Sequence, residues 1–432
     1  MSYDVLLGRS EDEKSKFKKR GTGYIGKAYV QMGQYTSLSN KVFIDFAKSH
    51  VVLVAGKRGS GKSYTLGVLA EEISCLPKEE SQNIASLIFD TMGIYWTMKY
   101  SNEKDKELLQ EWDLSPKKTP VKIFVPFGFY DSYVEKGIPA DESFSINASE
   151  LKAEDWILTF NLNFINPVST LIQRTLSRLK NTNYNIQKII SELEHDDKTT
   201  KETINLAISL FEAAETWGIF SDSETKMKDL ISAGQTTILD LSVYNSVGSF
   251  NVRALVIDLI SRKIFKERME SRKKEEIQAV SEGINLLSNF EKKEDPLVWI
   301  FIDEAHEFLP KDEKTIATDS LVQLLREGRQ PGISLVLATQ QPGKIHSDVM
   351  TQSDIVISHR VTSSQDLEAL NKIMQSYILE GIKQKMNSLP KSKGAAIVLD
   401  DNSERIYPIK VRPRFTWHGG EAPSAISEEK EF

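Results

Sequence analysis

The sequence predicts an α/β protein built on a mostly parallel sheet with helices on both faces, and three observations support that class. Short continuous apolar runs recur along the chain: VVLVAG (51–56), ASLIFD (85–90), VKIFVP (121–126), TTILDLS (236–242), PLVWIFID (296–303), GISLVLAT (332–339), SDIVISH (353–359) and GAAIVLD (394–400). Between most of them apolar residues repeat at helical spacing, the alternation expected of a sheet covered on both sides. The third observation is an interruption. VSTLIQRTLSRLK, YNIQKIISELEH and ETINLAISLFEAAETWGIF crowd helical patterns into residues 150–233, which read as an insertion between strands.

In chain order, residues 1–50 form an N-terminal arm and a short β segment, with KAYVQM and NKVFID as strands. KSKFKKR (Lys14–Arg20), directly after the acidic EDE of 11–13, reads as a solvated, mobile arm, because mixed charge runs are usually soluble tails. Residues 51–149 are the first part of the core, 150–233 the helical insertion, 234–400 the rest of the core, and 401–432 a C-terminal strand and tail. From Val252 to about Asn289 one long helix grades into a solvated charged tract.

Composition narrows the function classes. With 55 basic and 61 acidic side chains the net charge is −6, so any DNA contact comes from a local patch or a lined channel. No apolar run approaches the roughly 18 residues of a membrane span. The start lacks the order of a secretory signal, and one cysteine, Cys75, forms no internal disulfide, so the cytoplasm is the expected compartment.

VVLVAG followed by GKRGSGKS (Gly56–Ser63) and then SYTLGVLAEEI reads as buried strand, tight loop and helix. The loop fits G-x-x-x-x-G-K-[ST], the pattern that wraps backbone N–H groups around nucleotide phosphates. Gly56, Lys57, Arg58, Gly59, Ser60, Gly61, Lys62, Ser63 and Tyr64 are therefore the expected ATP-binding residues. The glycines permit close backbone approach, Lys62 reaches the β- and γ-phosphates, and Ser63 ligates Mg²⁺.

Such a loop needs a second carboxylate at the end of a neighbouring buried strand, and VWIFIDE supplies it. Asp303 is the expected Mg²⁺ group, and Glu304 the group that orients and deprotonates the attacking water. SLVQLLREGRQPGISLVLATQQP (320–342) adds Gln340, a polar residue at a strand tip placed to sense the γ-phosphate, and Arg326 and Arg329. A planar cation stabilises charge on the transferring phosphoryl group, usually from a neighbouring subunit when not in cis. His306 is expected at a helix start or against the sensor; His418 belongs to the C-terminal HGG, and a place over the nucleotide of an adjacent subunit is the lesser reading of it.

Asp303–His306 spells DEAH, the letters of a group of two-lobed helicases. Residues 341–432 are too few for a second lobe of that kind, and no Q-x-x-G-R-x-G-R stretch is present. The chain instead resembles the HerA/FtsK superfamily of ring-forming phosphate-loop motors, in particular its HerA-like branch. VVLVAGKRGSGKSYTLGVLAEEI (51–73), WIFIDEAHEFLP (299–310), LLREGRQPGISLVLATQQP (324–342), SDIVISHRVTSSQDLEAL (353–370) and YPIKVRPRFTWHGG (407–420) carry the resemblance, which spans roughly residues 23–420.

The resemblance implies a RecA-like core, Lys62, Ser63, Asp303 and Glu304 as ATP and Mg²⁺ groups, Gln340 as sensor, and an arginine of REGR acting across a subunit boundary, with Arg360 near it. It also implies a hexamer that translocates double-stranded DNA beside a nuclease or other effector. Two departures stand out. Residues 1–50 are too few for the family's usual N-terminal barrel, and Ile94 replaces a frequent acidic residue, leaving the role of Asp90 open. A protein-directed secretion, conjugation or pilus motor, and a ring-forming regulatory or defence ATPase, are the alternatives.

Overall fold

The computed structural model describes residues 4–421 apart from 33–34, 181, 247–250, 283–294, 362, 375–388 and 391. Its thirteen strands are β1 (Val5–Leu7), β2 (Thr22–Met32), β3 (Tyr35–Asp45), β4 (Val51–Ala55), β5 (Ile84–Asp90), β6 (Val121–Pro126), β7 (Glu142–Phe144), β8 (Thr236–Asp240), β9 (Leu297–Ile302), β10 (Ile333–Thr339), β11 (Ile355–His359), β12 (Ala395–Asp400) and β13 (Arg405–Val411). They form one sheet in the order β1-β3-β2-β13-β12-β11-β4-β10-β9-β5-β8-β6-β7. All eight apolar runs read from the sequence are strands of it.

From β11 to β7 every pairing is parallel, so these strands end on one common edge. β12, β13 and the β2–β3 hairpin extend the sheet through antiparallel pairings. Side chains along a strand alternate between faces, and here both faces are covered. Leu53, Ala55, Ile300, Ile302, Leu335 and Leu337 enter one core, while Val52, Val54, Trp299, Phe301, Val336 and Ala338 enter the other. Each such fully buried aliphatic side chain contributes about 1.5–3 kcal/mol.

Residues 150–233 are helical as expected, with helices at Ala153–Thr159, Pro167–Arg178, Ile186–Glu194 and Lys201–Glu215. They pack Trp156, Phe160, Phe211 and Trp217 into the first core. The long helix spans Val252–Glu282, its first half buried through Leu255, Leu259 and Ile264. Its expected continuation toward Asn289 lies outside the described residues. No helix among the described residues is long and apolar enough to cross a membrane.

The expectation of a mobile arm at Lys14–Arg20 is corrected. Glu11–Phe17 is a helix, started by a capping box in which Ser10 and Glu13 each bond the other's backbone N–H. Just before it, Arg9 is buried, 2.7 Å from Asp45 and from the Lys18 carbonyl. That pairing fixes the segment to the sheet, so its lysines decorate an ordered surface.

Candidate nucleotide site

The phosphate loop leaves the end of β4 and enters the helix Lys62–Ser74. Gly59 and Gly61 take φ of 73° and 110°, conformations that resist other side chains. A Cβ on Gly56 would stand 2.4 Å from Ser60 Oγ and 2.7 Å from His359 Cβ. The loop is tied to both neighbouring strand ends. Gly56 N donates to the Thr339 carbonyl (3.2 Å) and Lys57 N to that of Arg360 (3.2 Å). Lys62 is 6% exposed with Nζ 3.4 Å from the Lys57 carbonyl, Ser63 and Tyr64 are half-buried, and Lys57 and Arg58 are exposed.

His359 braces this loop from below, a role with no motif to announce it. Fully buried at the end of β11, it lies 2.8 Å from Thr65 Oγ1 through Nε2 and 3.1 Å from the Ala395 carbonyl through Nδ1. Burial lowers its pKa to about 4, so the ring is neutral, with its proton on Nδ1 and Nε2 accepting from Thr65.

Asp303 and Glu304 follow β9 on the same edge. Asp303 is 2% exposed; its Oδ1 accepts from Glu304 N (2.9 Å) and its Oδ2 from the Tyr95 hydroxyl (3.2 Å). Glu304 has φ 49° and ψ 42°, a left-handed conformation that costs a non-glycine residue on the order of 1 kcal/mol and gathers at functional sites. Burial first, then the adjacent Asp303, push its carboxyl up to about 7, against the pull of Lys62 and a hydrogen bond from Gln340. Its Oε2 is buried without a hydrogen-bond partner, since His306 Nδ1 at 3.5 Å is too distant for a sound one.

Gln340 is half-buried at the tip of β10. His306 closes the same corner, with Nε2 3.2 Å from Gln341 Nε2 and Nδ1 3.4 Å from Thr339 Oγ1. Because an amide nitrogen can only donate, His306 Nε2 accepts and its proton sits on Nδ1, facing Glu304. A buried hydroxyl at Ser60 and a buried oxygen at Glu304, both without partners, are what a triphosphate and an attacking water would satisfy. Ser63 and Asp303 stand on facing elements, an oxygen pair suited to Mg²⁺. A bound Mg²⁺ would neutralise charge developing on the phosphate oxygens.

Several members of the site were not foreseen. Asp90, whose role was open, accepts backbone N–H bonds from Met92, Gly93, Ile94 and Tyr95 at 2.8–3.2 Å, forming the turn that delivers Tyr95. Burial, then the neighbouring Asp240 at the end of β8, raise its carboxyl. Glu71, fully buried on the phosphate-loop helix, receives Arg412 Nη1 (2.8 Å), Arg414 Nε (3.2 Å) and Thr416 N (3.0 Å). His418 stacks edge-on against Tyr64 of its own chain, with centroids 5.1 Å apart.

The two arginines stand elsewhere. Arg326 is exposed and paired with Asp348 at 2.6 Å. Arg329 precedes β10, at the edge where the parallel strands begin, lining a cavity of about 300 Å³ with Lys48, His50, Arg268, Arg272 and Asp354. Arg360 is exposed beside the phosphate loop.

A phosphate loop at the end of a central parallel strand, with an acidic pair at the end of a nearby one, defines a RecA-like phosphate-loop ATPase. A family model described as "Helicase HerA, central domain" matches residues 30–266, more than half of the chain, which belongs to that family. A model described as "Zonular occludens toxin (Zot)" matches residues 249–376. The chain is 21% identical over 371 residues to a probable DNA double-strand break repair helicase HerA of Methanocaldococcus jannaschii, covering 81% of this chain and 70% of that protein. It is 23% identical over 394 residues to the DNA double-strand break repair helicase HerA of Sulfurisphaera tokodaii, covering 88% and 68%.

Among solved structures, VirB4 of Thermoanaerobacter pseudethanolicus shares the fold, with TM-score 0.54, 12% identity and 91% and 97% of the two chains covered. So does the bacterial conjugative coupling protein TrwBdeltaN70, with TM-score 0.52, 12% identity and 87% of each chain covered. The chain is thus an ATP-hydrolysing motor of the HerA family.

Proposed function

We propose that this ATPase works as a homo-hexameric ring that translocates along double-stranded DNA, each hydrolysis site being completed by an arginine of the next copy. In this reading the backbone from Gly56 to Tyr64 cradles the triphosphate and Lys62 contacts its β- and γ-phosphates. Ser63 and Asp303 hold Mg²⁺. Glu304 takes a proton from the attacking water, and Gln340 links that water to the tip of β10.

One observation carries the ring: Arg329 and the phosphate loop lie at opposite edges of the sheet. β10 has seven residues, so the gap is about 20 Å, too far for an arginine to reach phosphates in its own chain. A neighbour stacked edge to edge brings the two together, the heterologous contact that closes into a ring. Support for DNA comes from the relatives named as DNA double-strand break repair helicases.

Subunit mixing tests the arginine. Lys62→Ala and Arg329→Ala variants are each expected to be inactive, yet an equal mixture should regain about a quarter of wild-type turnover, because half the phosphate loops and half the neighbouring arginines are intact. No recovery in mixed rings, repeated with Arg326→Ala, refutes the trans role. Particle mass with ATP and duplex DNA tests the ring, which a persistent monomer would exclude. Turnover that ignores duplex DNA and rises with a partner protein would favour a protein-directed motor.

A further inference from the structure

We infer that Tyr95 is a positioning residue for the metal-binding carboxylate, its phenol holding Asp303 in register with the phosphate loop; this rests on the assignment of Asp303 to Mg²⁺ proposed above. Tyr95 is 1% exposed, and its hydroxyl lies 3.2 Å from Asp303 Oδ2 and 3.4 Å from the Ser63 carbonyl oxygen. The single hydroxyl proton cannot serve both acceptors fully, and the Asp303 oxygen is the nearer. With Glu304 N on Oδ1, each oxygen of Asp303 then has one donor fixing it, and its remaining lone pairs are oriented before any metal arrives.

The hydroxyl is held there from two sides. On the inner side, the Asp90 carboxylate gathers four successive backbone N–H groups and so dictates where Tyr95 leaves the turn. On the outer side, residues 97–102 are zipped to the C-terminal segment: Trp417 N donates to the Tyr100 carbonyl (2.8 Å) and Asn102 N to that of Phe415 (3.0 Å), while the Thr97 hydroxyl is shared between the carbonyls of Ile94 (2.7 Å) and Trp417 (3.0 Å). That segment is in turn locked to the phosphate-loop helix by Glu71. A ring needed only for packing would be served by phenylalanine, whereas a buried hydroxyl is costly unless its acceptors require it.

Binding of a fluorescent ATP analogue to the full chain, titrated with MgCl2, tests this without measuring turnover. Tyr95→Phe should raise the half-saturating Mg²⁺ concentration about tenfold, leaving Mg²⁺-free nucleotide affinity unchanged. Asp303→Asn should abolish the Mg²⁺ response. A Tyr95→Phe variant that titrates like wild type while Asp303→Asn has lost the response overturns the inference alone. Wild-type titration by Asp303→Asn overturns the metal assignment and the inference together. Should Tyr95→Phe fail to fold, 3-fluorotyrosine at position 95 substitutes: its fluorine resonance should move when Mg²⁺ joins bound ATP, and an unmoved resonance refutes the coupling.

Discussion

Replacing Glu304 with glutamine should make the protein more stable while stopping hydrolysis. The Glu304 carboxyl sits at about 7 against 4.5 for an ordinary glutamate, chiefly through burial and the Asp303 charge. Its side chain is only 17% exposed, so solvent screening relieves little of this. Each tenfold change in proton affinity is worth about 1.4 kcal/mol, so keeping this group ionised at pH 8 costs the fold on the order of 3 kcal/mol. The sign follows from the direction of the shift. A raised carboxylate favours the folded state while protonated, and that advantage is lost as pH climbs from 4.5 through 7. Glutamine keeps the shape and the hydrogen bond from the Gln340 side but has no charge to bury.

Glu304→Gln should therefore exceed wild type by about 2–3 kcal/mol in nucleotide-free denaturant melts at pH 8, with the gain falling below about 1 kcal/mol at pH 5. ATP turnover should drop by a factor on the order of 10² or more, with nucleotide binding retained. A variant no more stable at pH 8, or one whose gain is equal at both pH values, would show that the carboxyl is not a strained anion. Retained hydrolysis would remove Glu304 from water activation.

Wild-type turnover should itself fall about tenfold per pH unit below about 7, as the base becomes protonated; a flat profile between pH 5.5 and 7.5 contradicts this. Glu71→Ala takes from buried Arg414 its carboxylate partner and leaves Arg412 with Glu72 alone, and should cost about 3–5 kcal/mol, read as a shifted denaturation midpoint, whereas a loss under about 1 kcal/mol would refute a structural lock. Gly67→Ala places a Cβ 2.4 Å from Arg414 Nη1, and the displaced guanidinium should cost about 1–3 kcal/mol; an unchanged midpoint would show that the C-terminal segment yields freely.

The legible parts of the site share a property: each lies in a short run whose residue types have one chemical use. Gly56–Ser63 needs its glycines for backbone approach, and Asp303–Glu304 stands out as charge directly after six apolar residues. Tyr95, His359 and Glu71 carry no such mark. A tyrosine near a turn, a histidine ending a strand and a glutamate on a helix are ordinary locally, and their roles arise from partners 208, 294 and 341 positions away. The helix Glu11–Phe17 was readable, since Ser10 and Glu13 have capping-box spacing, but the surrounding charge run argued for a tail. Its stability comes from Arg9 finding Asp45 across the β2–β3 hairpin.

By itself, then, the sequence determined the strands other than the three-residue β1 and β7, the phosphate loop and the acidic pair, because apolar continuity and glycine spacing are local signals. Tertiary structure decided the strand order, and with it which ends converge. Parallel pairing of β4, β10 and β9 brings Lys62, Gln340 and Glu304 to one edge and sends Arg329 to the other. No local pattern encodes that separation. It follows from the direction in which each strand crosses the sheet.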